Sequence, residues 1–118
     1  MLSVSQPLVQ ASLIGEAIDR GPVAIFVTDE VGRYVAVNQY ACDLLGYTRA
    51  ELLETPAQDV APGSDVAAHM AELAASRRLA GRVTLARRDG SSVDLDYRSS
   101  ETTIAGLTFY VSVAWPPD

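Results

Sequence analysis

Val37-Asn38-Gln39-Tyr40-Ala41-Cys42-Asp43-Leu44-Leu45-Gly46-Tyr47-Thr48-Arg49-Ala50-Glu51-Leu52-Leu53 (residues 37–53) reads as two short helices in direct succession. Asn38 stands where a helix N-cap belongs, and Gly46 stands at the C-terminal end, where a left-handed residue closes a helix without a Cβ clash. Between them Ala41, Leu44 and Leu45 share one face. Thr48 followed three residues later by Glu51 is a capping box, each side chain satisfying the other's backbone donor. Pro56 limits this second helix to a turn or two.

N-terminal to this stretch the pattern is extended. Val23–Thr28 is an apolar run rich in β-branched residues, Asp29-Glu30-Val31-Gly32 is a turn, and Arg33–Val37 is a second run, which together predict a hairpin. Gly21-Pro22 separates it from an amphipathic helix over Leu8–Asp19, with Pro7 in the first turn and Ser5 or Gln6 before it. Val9, Leu13, Ile14, Ala17 and Ile18 form its apolar stripe.

C-terminal to it, residues 58–63 are predicted as a loop containing Pro62 and Gly63. Ser64 then caps a third helix over about Asp65–Arg78, with the stripe Val66, Met70, Leu73 and Ala74. From Gly81 onward the period is two. Val83 and Leu85 make one strand, and Arg88-Asp89-Gly90-Ser91 is a tight turn. Val93, Leu95 and Tyr97 make a second strand, and Leu107, Phe109, Val111, Val113 and Trp115 a third. The order is helix, two strands, three short helices, three strands. It predicts an α+β domain with one antiparallel sheet and the helices on one face.

The chain has 118 residues, 48% of them hydrophobic, enough for one domain with its own core. The predicted division is an N-terminal amphipathic helix over 1–20 and the domain proper over 21–118. Fifteen acidic against nine basic residues give a net charge of −6, which argues against a nucleic-acid partner. All nine basic residues are arginine. One cysteine and one histidine exclude a disulfide framework, a cysteine-built zinc site and a multi-histidine metal site. With no basic N-terminal start and no apolar stretch of bilayer length, the expected location is cytoplasmic, without membrane attachment.

Several of these pieces, in this order and spacing, resemble the PAS (Per-Arnt-Sim) sensor domain family over about Ala17–Trp115. They are the Asp29…Gly32 turn, Val37-Asn38, Leu45-Gly46-Tyr47-Thr48-Arg49-Ala50-Glu51-Leu52-Leu53, and the Arg87-Arg88-Asp89-Gly90-Ser91 turn. The resemblance implies a sheet of order 2-1-5-4-3 with the helical segment closing a small pocket against its inner face. It also implies a role in bacterial signal transduction through binding a small molecule, or through pairing with another copy or a partner.

The expected pocket combines Met70 and Leu73 from the third helix with Val83, Leu85, Val93, Leu95, Phe109 and Val111 from the sheet. Leu44 and Leu45 come from the first inner helix. Such a lining suits an apolar ligand with few polar anchors. If those strand positions face inward, Phe26, Tyr34, Ala36, Tyr110 and Ala114 form an outer apolar patch. The N-terminal stripe of Val9, Leu13, Ile14, Ala17 and Ile18 then covers it, from its own chain or from the second copy of a homodimer. Asp94 and Asp96 are expected on the solvated face, paired with arginines across strands.

Cofactors stay open at this level. Haem-binding members of the family use a histidine on the helix before the third strand, which makes His69 the alternative ligand. It sits on the flank of that helix's stripe, and no other metal ligand is offered. Light-sensing members carry an Asn-Cys-Arg motif where this chain has Ala57-Gln58, so no covalent flavin adduct forms here, and a non-covalent flavin has little in its favour. Cys42 reads as a small buried hydrophobe. The reading is a sensory or interaction module without catalytic activity, acting on an unidentified partner or effector domain. A cone-shaped α+β isomerase is the rival from another class. Trp115-Pro116-Pro117-Asp118 favours an extended end over a continuing helix, which fits either a stand-alone module or a piece of a longer chain.

Overall fold

The computed structural model describes residues 6–117. Ten elements follow one another: α1 (Pro7–Asp19), β1 (Ala24–Thr28), β2 (Tyr34–Val37), α2 (Gln39–Leu45), α3 (Arg49–Glu54), α4 (Ala57–Val60), α5 (Val66–Ser76), β3 (Arg78–Ala86), β4 (Ser92–Ile104) and β5 (Leu107–Trp115). The strands form one antiparallel sheet of order β2-β1-β5-β4-β3, as the family resemblance implied. α2 to α5 bridge the two hairpin blocks, so the chain crosses from one edge of the sheet to the other through its helices.

Local chemistry accounts for most boundaries. Pro7 opens α1, preceded by Gln6; the alternative start at Ser5 lies outside the described residues. The Asn38 side chain caps α2 by accepting from Ala41 N, and Gly46 closes it at φ 79°. Thr48 and Glu51 form the capping box of α3, with both bonds made at 3.1 and 2.9 Å. Two features differ from the sequence reading. Residues 58–60, part of the predicted loop, fall in the one-turn helix α4, which starts right after Pro56. The cap of α5 is Asp65, not Ser64, and the helix stops at Ser76 because Arg77 turns left-handed at φ 64°. β3 therefore starts at Arg78, three residues earlier than predicted.

The core lies between the sheet and α2–α5, with Leu45, Leu52, Leu73, Leu95, Val60 and Cys42 fully buried. Asn38 sits where its elements meet. Its carboxamide oxygen accepts from Ile25 N on β1 as well as from Ala41 N. Its amide nitrogen donates to the carbonyls of Val23 (2.8 Å) and Ile18 (2.7 Å). One side chain thus joins the end of α1, the start of β1 and the first turn of α2. Beside it, Asp19 Oδ1 accepts from Gln39 N and from Arg49 Nη2 at 2.7 Å. The chain bends sharply before β1, and Gly21 (φ 129°) has room for no more, since a Cβ there would meet Tyr40 at 3.0 Å.

α1 buries none of its residues, and Leu13 and Ile14 are 56% and 59% exposed. Its apolar stripe is formed but uncovered.

At the β1–β2 turn, burial raises the Asp29 carboxyl's pKa. Hydrogen bonds from Arg33 N, Arg33 Nε and Val31 N, with the Arg33 charge, outweigh that and hold it below its ordinary 3.8. A carboxyl that releases its proton more readily when folded stabilises the fold above its unfolded pKa. It loses that contribution as pH falls through the folded value. Stability should therefore be level above about pH 5 and decline below pH 4. Asp29→Asn should make the acid limb shallower in urea titrations across that range; an unchanged limb would contradict it. Asn38→Asp replaces two donors with an acceptor facing two carbonyls. It should cost about 2–4 kcal/mol of unfolding free energy, read as a lowered urea midpoint.

Candidate functional site

A cavity of about 160 Å³ opens between α5 and the inner face of the sheet. α5 supplies Val66, His69, Met70 and Leu73, because positions three and four apart fall on one helical face. Ala57, Ala61 and Ser64 close one end. β3 and β4 supply Val83, Leu85, Tyr97 and Ser99, and β1, β2 and β5 supply Phe26, Thr28, Tyr34, Ser112 and Ala114.

Aromatic pairs stand at two places on this lining. Phe26 and Tyr34 pair with centroids 5.6 Å apart and planes at 37°; His69 and Tyr97 pair at 5.5 Å and 60°. On the sheet floor the hydroxyls of Ser99 and Ser112, paired residues on β4 and β5, lie 2.7 Å apart. Burial beside the Tyr47 phenol pushes the Tyr34 hydroxyl's pKa far above its ordinary 10.0. Tyr97 is raised by burial and by the nearby Glu72 charge. Both phenols are therefore neutral hydrogen-bonding groups at physiological pH. Among the described residues, no carboxylate lines the cavity. Arg82 borders it, but its Nε is committed to Asp96 at 3.0 Å.

Of the residues expected in a pocket, the structure brings Met70, Leu73, Val83 and Leu85 together on this cavity. Leu45 and Leu95 are fully buried elsewhere in the core, and Leu44 and Val93 pack against that core. Leu44 and Leu45 have another duty. Their carbonyls accept from Arg87 Nε (3.1 Å) and Arg88 N (2.8 Å), which docks the β3–β4 turn under the end of α2.

Phe109 and Val111 face the other way, a correction to the sequence reading. Along β5 the inward positions are Tyr110, Ser112 and Ala114, with Tyr110 and Ala114 buried. The register fixes this: Phe26 pairs with Ser112 and Ala24 with Ala114. Phe26, Tyr34, Tyr110 and Ala114, expected outside, are therefore inside. Ile25, Val27, Phe109, Val111, Val113 and Trp115 lie on the outer face, all partly exposed. Polarity alternation shows which residues share a face, not which face meets the helices. Here the bulkier apolar set of β5 faces out, and the small Ser112 and Ala114 on the inner side leave room for the cavity. On β3 and β4 the faces agree with the reading, and Arg82 pairs with Asp96, but Asp94 accepts from Thr84 Oγ1 at 2.6 Å in place of the expected arginine.

Sequence reasoning missed Phe26, Tyr34, Tyr97, Ser99 and Ser112 as cavity residues. The two serines carried a usable signal, since small polar residues at inward positions of central strands mark a place where nothing fills the core.

His69 lies on the cavity wall, its ring partly buried against Tyr97. A porphyrin does not fit beside it. Pockets for ligands of even drug size run from about 300 Å³ upward, roughly twice this volume. Among the described residues no group of three or more His, Cys, Asp or Glu side chains could hold a metal ion, and no helix is long and apolar enough to cross a membrane.

Cys42 is wholly buried in α2, where burial raises its thiol's pKa. The native protein should react with an aromatic disulfide reagent only as fast as it unfolds, and stoichiometrically in urea. A rapid reaction in buffer would contradict this placement.

A PAS domain family model matches residues 22–110. No curated protein sequence matches the chain. Among solved structures, it is similar to the PAS domain of an HTR-like protein from Haloarcula marismortui, at 22% identity and a TM-score of 0.80, covering 89% of each chain. A PAS domain from a two-component sensor histidine kinase superimposes with a TM-score of 0.79 at 17% identity, covering 92% of this chain and 97% of that one. A domain of the sensory box sensor histidine kinase/response regulator from Geobacter sulfurreducens gives 0.74 at 22%, covering 96% and 99%.

Proposed function

The chain belongs to the PAS domain family, and from that premise we propose that it is a sensory module that binds a small, largely apolar ligand and pairs with a second copy of itself. One observation carries this reading: the same two strands line the cavity on one side and an uncovered apolar surface on the other. On β1, Phe26 and Thr28 face the cavity while Ile25 and Val27 face out. On β5, Ser112 and Ala114 face in while Val111 and Val113 face out. A ligand that shifts the inner side chains by a fraction of an ångström moves the outer row with them, because close-packed strands do not deform independently.

The outer row and the exposed stripe of α1 are complementary in kind. Each is too apolar to be left to water in a signalling protein. Packing α1 of one copy on the β1–β5 face of the other covers both. Ligand binding then acts by favouring one arrangement of the pair over another, to the extent that it binds one more tightly. An effector or partner reads that arrangement. The expected setting is cytoplasmic bacterial signal transduction.

The module is proposed to have no catalytic activity of its own. In a nucleophile–base pair a third group orients the base. The His69 ring makes no hydrogen bond to any described residue, and no carboxylate lines the cavity to serve instead.

Native mass spectrometry of the purified chain tests the sensing role directly. It should show a retained small molecule, released under denaturing conditions, on a dimer. Val111→Asp on the outer face and Ile14→Asp on α1 should each shift the dimer to monomer by light scattering while keeping the cavity. A dimer unaffected by both substitutions would sink the pairing. Deleting residues 1–19 should cause loss of the dimer or aggregation.

A further inference from the structure

The geometry points to a neutral single-ring aromatic compound with one hydroxyl, a phenol, as the ligand class of the α5–sheet cavity. This rests on the reading of that cavity as a ligand site and specifies what enters it.

Size comes first. A cavity of about 160 Å³ is close to the roughly 150 Å³ that accepts benzene in an engineered protein core. One six-membered ring with a small substituent matches that volume.

Charge comes second. The chain contains no lysine, and Arg82, at the border of the cavity, is paired through its Nε with Asp96. An anion there meets only an arginine already paired with a carboxylate, so little repays its desolvation. The Phe26–Tyr34 and His69–Tyr97 pairs offer ring faces and edges, which suit an aromatic guest over an aliphatic one.

The anchor comes third. Ser99 is only 4% exposed, and its hydroxyl meets that of Ser112 at 2.7 Å. Two hydroxyls carry two O–H groups, and the bond between them uses one. The other has no acceptor among the described residues, and both serines line the cavity. Ser112 is only half-buried and the cavity is open to solvent, so a ligand oxygen takes the place of water at that donor. A phenol oxygen accepts from it, and the phenol O–H can in turn donate to a serine oxygen. Both polar needs are met by one ligand atom.

Isothermal titration calorimetry of the full chain with phenol, toluene and benzoate tests this. Phenol should bind one-to-one, toluene about 5–10-fold more weakly for want of the hydrogen bond, and benzoate not measurably. In the Ser99→Ala/Ser112→Ala double variant, phenol should fall to the affinity of toluene. Toluene binding should persist there, which shows that the cavity is intact. Met70→Trp should fill the cavity and remove both. Equal affinities for phenol and toluene in the unsubstituted chain, or benzoate binding more tightly than phenol, would overturn the proposal. If native mass spectrometry instead finds a larger or anionic molecule whose retention is lost in Met70→Trp, the phenol assignment fails and the ligand-sensing reading stands. If no probe binds and nothing is retained, both fail.

Discussion

Four hydrogen bonds from one buried carboxamide hold this domain's parts in register. Asn38 accepts from Ile25 N and Ala41 N and donates to the carbonyls of Val23 and Ile18. No other side-chain type offers two donors and two acceptor lone pairs in so short a reach. It fixes where β1 enters the sheet, how α2 leaves it, and where α1 ends. The helices that roof the cavity follow from that geometry. The Asp19–Arg49 contact adds a second tie between the end of α1 and α3, at 2.7 Å on the surface. Exposed ion pairs contribute little energy, so the direction of α1 depends chiefly on the buried carboxamide.

The same point of attachment gives the proposed signal a route. α1 is latched to the core at Ile18 but buries nothing along its length. Its position relative to the sheet therefore depends on what covers its stripe and on the packing around Asn38. β1 lies between: Ile25 N is bonded to Asn38, and Phe26, the next residue, lines the cavity. Ligand site, latch and outer face meet within two residues of one strand.

Much of this architecture was legible in the chain because local chemistry specifies it. The Asn38 and Thr48–Glu51 caps, Gly46 and the Asp89-Gly90 turn announce themselves by residue type and spacing. The strands on the far edge were legible too, since Val93, Leu95 and Tyr97 alternate with charged residues that belong on the solvated face. The helix α4 was not, being a single turn with neither a capping side chain nor a periodic stripe. The cavity was half legible. Met70, Leu73, Val83 and Leu85 followed from their elements' apolar faces, while Phe26, Tyr34, Ser99 and Ser112 depended on which side of the central strands met the helices.

The sequence by itself determined the kinds and order of the elements, the caps that bound them, the absence of a reactive thiol at the light-sensor position, and the family. These are properties of short segments, decided by backbone sterics and by hydrogen bonds over a few residues. Only the tertiary structure decided which face of β1 and β5 looks inward. Both faces of those strands carry apolar side chains, so alternation contains no sign that tells core from interface. The register with β4, the Ser99–Ser112 contact and the Asn38 bonds settle it. By placing the smaller side chains inside, they leave a ring-sized space in the core and the larger apolar row on the surface.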